Sequence, residues 1–123
     1  MATPLNTFKT KTYIIQAKDP TDAAKARGTD VVYTVPAGIT AIVLMAQITN
    51  IDNTQTWDFN FVHHDAGTDT TTFLVKDFAC QAFDAVGSLT GKLIVQEGNQ
   101  IAIWAESAGK LQLTLSFLES LNG

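Results

Sequence analysis

Residues 111–120 read LQLTLSFLES, an unbroken alternation with Leu111, Leu113, Leu115 and Phe117 on one side and Gln112, Thr114 and Ser116 on the other. Side chains of an extended strand point alternately to its two faces, whereas a helix brings together residues three and four apart. The stretch therefore predicts a strand with one face in a core. WDFNFVHH (57–64) repeats the pattern, with Trp57, Phe59 and Phe61 on one face and Asp58 and Asn60 on the other. TYIIQA (12–17), VVYTV (31–35), TTFLVKDF (71–78), KLIVQ (92–96) and IAIWAES (101–107) add β-branched and aromatic strand segments. ITAIVLMAQITN (39–50) is apolar on both faces at first, with Ile39, Ala41, Val43 and Met45 opposed to Ile42, Leu44 and Ala46. A strand of that kind is covered on both sides.

The connections carry turn chemistry. PAG (36–38), AGTDT (66–70), EGNQ (97–100) and AGK (108–110) separate these segments, and glycine serves the backbone angles that other residues resist. TVPAGITAI (34–42) and IVQEGNQIAI (94–103) share Val-x-x-Gly before an apolar strand, an echo read as common turn chemistry rather than duplication. KDPTDAAKARGTD (18–30) reads as a loop in which DAAKAR forms one helical turn with Asp22 near its start. Short, regularly spaced strands with glycine turns predict an all-β chain, a single antiparallel β-sandwich or jelly roll of about eight strands with an extended N-terminal arm. With 123 residues there is one domain. Residues 1–30 form the arm, first strand and loop, and residues 31–123 the sandwich body.

Composition narrows the functions. Charged residues make up 16%, below the usual quarter or so. Thr, Asn, Gln and Ser cover the surface instead, which suits either area hidden against partners or simply a Thr-rich β-protein. Residues 1–27 hold five basic side chains against Asp19 and Asp22, net +3; the rest holds three lysines against ten carboxylates, net −7. A basic leader on an acidic body suits an arm that docks on an acidic surface, and the body disfavours direct binding of nucleic acid. AIVLMA, the longest apolar run, is too short to span a bilayer, and MATPLNTFKTK lacks the pattern of a signal peptide.

Chemistry-bearing motifs are sparse. If the alternation holds, His63 points to the core and His64 outward, so both rings cannot ligate one ion. His63 and Asp65 make only two ligands, with Asp52, Asp69 and Asp84 as loop candidates for a weak divalent site. Neither G-x-S-x-G nor the phosphate-binding G-x-x-x-x-G-K-[ST] occurs; GSLTGK (87–92) is wrongly spaced. Asp58, Asp65, Asp69, Asp77 and Asp84 fall mostly at strand ends and turns, where such residues satisfy backbone groups rather than form a glycosidase pair. The single cysteine, Cys80, reads as a small core residue. No catalytic, cofactor-binding or metal residue is assigned.

YTVPAGITAIVLMAQITN (33–50), TTFLVKDFA (71–79), GKLIVQEGNQIAIWA (91–105) and LQLTLSFLE (111–119), in this order and spacing, resemble the small β-sandwich virion structural proteins of tailed bacteriophages. CQAFDAV (80–86) and Asn99 depart from that family's pattern, which places loop-borne contacts outside the resemblance. The resemblance implies a non-enzymatic, cofactor-free virion protein, made in the bacterial cytoplasm and displayed on the particle. It implies a capsid decoration (cement) protein whose partners are itself, as a trimer, and major capsid or other virion proteins. A neck, tail or baseplate component, or a host-surface carbohydrate-binding module using Trp104 or Trp57, is the alternative. The expected interface residues are Phe8, Lys9, Lys11 and Tyr13 of the leader, with Ile42, Leu44, Trp104 and Leu118.

Overall fold

The computed structural model describes residues 6–17, 31–87, 89 and 91–122. Nine strands lie within them: β1 (Asn6–Ile14), β2 (Val31–Thr34), β3 (Ile39–Asn50), β4 (Trp57–Asp65), β5 (Thr70–Cys80), β6 (Ala85–Gly87), β7 (Leu93–Val95), β8 (Gln100–Ala105) and β9 (Leu111–Leu121). They make two antiparallel sheets, one ordered β1-β9-β3-β6 with β7 also paired to β3, the other β2-β8-β4-β5. The chain repeatedly crosses from one sheet to the other, so the two inner faces close on one core. The all-β sandwich predicted above is the observed architecture, with β6 lying in a stretch read as loop.

The strictest alternation produces the simplest strand. Leu111, Leu113, Leu115 and Phe117 of β9 are all buried, packed with Val43 and Ile48 of β3, Phe59 and Phe61 of β4, and Ile101 and Ile103 of β8. Cys80 is fully buried in the same core, and burial pushes its thiol up from its ordinary value. Trp57 packs on the core's edge.

Two expectations fail where a strand takes an extra residue. In β3 the register to β9 slips between Val43 and Met45, leaving Leu44 as the extra residue. A bulge of this kind moves every later side chain to the other face. Met45, expected beside Val43, is therefore turned out, while Ala46 and Ile48 are buried. β5 has two such irregularities opposite Phe59–Val62. Asp77, at φ 48°, sits in one of them. Asn60 bridges it, accepting from Asp77 N at 2.9 Å and donating to Asp77 Oδ1 at 3.2 Å.

The first strand also begins earlier than predicted. β1 runs over residues 6–14, pairs with β9 along its length and forms the sheet's edge, so this part of the leader is strand rather than a free arm. Residues 15–17 then leave the sheet, with Ile15 buried and Ala17 in a parallel bridge to Ala105. The loop and helical turn expected at 18–30, including Lys18, Lys25 and Arg27, lie outside the described residues.

The Val-x-x-Gly echo is two matching turns. Ile39 N donates to Pro36 O and Asn99 N to Gln96 O, with Gly38 at φ 77° and Gly98 at φ 79° in third position, the angle a type II turn requires there. The turns interlock: Val35 N donates to Asn99 O, Gly98 N to Val35 O, and Gly38 N to the Glu97 carboxylate.

Candidate functional site

The residues able to do chemistry are held apart. His63 pairs with Ile101 on the core side, and His64 lies on the opposite face opposite Gln100, so the rings diverge as predicted. His64 is 7% exposed; its Nδ1 shares a 2.8 Å hydrogen bond with Thr71 Oγ1, and its Nε2 lies 3.4 Å from Asp69 Oδ1. Asp65 receives Gly67 N at 2.9 Å and caps the β4–β5 turn. Burial and the charges of Glu106 and Asp77 raise the Asp58 carboxyl. Among the described residues, no three His, Cys, Asp or Glu side chains come together as a metal site.

Two carboxylates tie strands together. Asp52 accepts from Trp57 Nε1 at 2.9 Å and from Thr54 N and Oγ1, and these bonds lower its carboxyl from 3.8 to about 2. Glu119, the next inward residue of β9 after Phe117, is 9% exposed. It accepts a hydrogen bond from the Tyr33 hydroxyl and pairs with Lys9 Nζ at 2.7 Å. Burial alone would raise the Glu119 carboxyl, but the bonds from Lys9 and Tyr33 and the lysine charge bring it below its ordinary value. Burial, and then the bond and charge of Glu119, push the Tyr33 phenol well above 10. Folded carboxylates that release protons more readily than unfolded ones stabilise the fold above their unfolded values, and this is lost as pH falls through the folded values. Melting temperature is thus expected to fall between about pH 4 and pH 2, and Asp52→Asn to flatten that fall. Tyr33 acts in the opposite sense, with stability lost as pH rises past its unfolded value of 10.

The expected interface residues separate into three groups. Phe8, Leu118 and Ile42 are directly opposite one another across β1, β9 and β3, and β7 extends the row with Ile94. All four point away from the core; Phe8 is 76% exposed and Ile94 62%. Leu44 adjoins the row, and its bulge places Met45 beside it, both more than a third exposed. Lys9, Lys11 and Tyr13 instead share the inward side of β1 with Phe117, Leu115 and Leu113. Lys9 is engaged by Glu119 and Tyr13 packs against the core, while Lys11 stays exposed because β1 is an edge. Trp104 belongs to neither group. It is 3% exposed in a small cluster with Val62, Ala102 and Val31 on the outer face of the other sheet, with Phe73 edge-on to its ring at 5.9 Å. Its burial removes it as a sugar-stacking platform or a subunit contact.

Among the described residues, the outward strand positions of the five-stranded sheet carry no charge. β9 presents Gln112, Thr114, Ser116, Leu118 and Ser120; β3 presents Thr40, Ile42, Leu44, Met45, Gln47 and Thr49. The paired positions of β1 add Asn6, Phe8, Thr10, Thr12 and Ile14, and β6 adds Ala85 and Gly87. Sequence reasoning missed Ile94 and, within the doubly apolar strand 39–48 taken as a contact candidate, placed Met45 on the face of Val43. Alternation around the inward Leu93 and Val95 marks Ile94, whereas nothing in the sequence marks the bulge that turns Met45 out. The chain matches no protein-family model and no curated protein.

Proposed function

We propose that this chain is a non-enzymatic virion structural protein of a tailed bacteriophage, and specifically a decoration protein that oligomerises and, in many copies on the shell, staples neighbouring subunits. One observation carries the reading: among the described residues, the outward strand positions of the five-stranded sheet hold no charge and are crossed by the apolar row Phe8–Leu118–Ile42–Ile94. Protein surfaces exposing contiguous apolar area of this kind serve contacts, and the core of a protein interface is poor in charge and rich in aromatic residues and methionine. The order of strand motifs that resembles phage virion sandwiches supplies the setting. Repeated weak contacts over many copies give firm attachment without any one strong site.

The test is quantitative counting of the protein in purified particles, with imaging of where the copies sit. Hundreds of copies spread over the shell are expected. A few copies confined to the neck or tail would replace decoration by the tail reading, and absence from particles would overturn both.

A further inference from the structure

We infer that the outward face of the five-stranded sheet binds a second copy of this chain, the same patch on both partners, giving a two-fold dimer. The inference deepens the reading above and rests on it only for the dimer's place in the particle.

Charge argues for a second copy as the occupant. Beyond residue 27 the chain carries three lysines against ten carboxylates. Two copies that meet through the acidic turns therefore repel, and like charges brought together at a contact cost several kcal/mol. The face built on β1, β9, β3, β6 and β7 presents Thr, Ser, Gln and apolar side chains with no charge among its described outward residues. It is where two such molecules can meet without that repulsion.

Size argues the same way. Nine residues at about 3.3 Å and four strands abreast at about 4.8 Å each, β6 and β7 sharing the edge of β3, outline roughly 30 by 19 Å. That is close to 600 Å² in projection, of the order of the ~800 Å² each partner buries in a standard stable complex. The apolar row runs across the strands and ends on Phe8 and Ile94, the most exposed members, at opposite edges. Across a two-fold axis the same patch lies opposite itself, so row meets row, and Leu44 and Met45 add flexible apolar bulk beside it. A self-matching patch closes at two copies, not at the three that the resemblance implies.

Sedimentation equilibrium of the isolated protein, from low micromolar to about 100 µM, tests this. Twice the chain mass is expected for the wild type. Ile94→Lys and Leu44→Glu lie at exposed positions and should keep the fold by circular dichroism while raising the dimer dissociation constant at least tenfold. Phe83→Asn is the control: Phe83 is 79% exposed on the turn before β6, outside the strands that build this face, and at its φ of 62° asparagine is well tolerated. It should leave the dimer intact. A wild-type monomer at 100 µM, a trimer, or a dimer unaffected by the two face substitutions would each overturn the inference. A dimer that never appears on particles would leave this inference standing and sink the proposed function. A monomer found on every shell would do the reverse.

Discussion

Replacing Phe61 with alanine is expected to lower the domain's stability by about 4 kcal/mol, seen as a melting temperature lower by about 15 °C. Phe61 is fully buried at the middle of β4, with Ile103 of β8 and Val75 of β5 opposite it on the same side. The lost ring leaves a cavity between two sheets whose backbones are fixed by their hydrogen-bond ladders, so the walls cannot close. Phe61→Leu keeps most of the volume and should cost less than half as much. Phe8→Ala is the informative contrast. That ring is 76% exposed on an edge strand, so its loss should change monomer stability by no more than about 0.5 kcal/mol. Equal losses at Phe8 and Phe61 would mean that the two phenylalanines do not divide between core and contact surface.

Asn50→Ala should cost about 3 kcal/mol, measured by urea unfolding. Asn50 is 2% exposed at the end of β3, where three chain segments meet. Its amide donates to Gln55 O and Cys80 O, each at 2.9 Å, and its Oδ1 accepts from Asp52 N at 2.8 Å. Alanine removes all three bonds and strands the Cys80 carbonyl away from water, the costly half of losing a buried hydrogen bond. Asn50→Asp keeps the shape and the Asp52 bond but turns a carboxylate toward two carbonyl oxygens. Its deficit relative to wild type should match that of alanine at pH 7 and shrink in acid, as a protonated carboxyl regains one donor. A pH-independent deficit for Asn50→Asp would show that shape, not donation, is what the site needs.

These residues differ in how far the sequence exposes them. Phe61 and the inward leucines of β9 are legible because their alternation is never interrupted, and a period of two has one solution. Asn50 is invisible, since its role comes from carbonyls five and thirty residues away. Leu44 shows the limit of pattern reading: one inserted residue moves Met45 out and Ala46 in, and no composition signal precedes it. β1 was misplaced for a related reason. As an edge strand it presents Lys9 and Lys11 on its inward side, charges that a central strand would exclude and that an edge uses to resist unwanted pairing. Of the surface itself, Ile42, Leu44 and Leu118 were legible as apolar contact residues and Phe8 as part of a docking arm, but only the register stands Phe8, Leu118 and Ile42 in one row. Trp104 was legible as outward facing and covered, either buried or at a subunit contact, but alternation assigns a face and does not say that residues of this chain lie over it.

Hydroxyl-radical labelling of Phe8, Met45 and Ile94 bears most directly on the central claim, that the charge-free sheet face is covered when the protein works. Protein on purified particles should label several-fold more slowly at all three positions than the same protein diluted to monomer. Equal labelling in the two states would show the face open to solvent in the assembled particle, and would contradict the account.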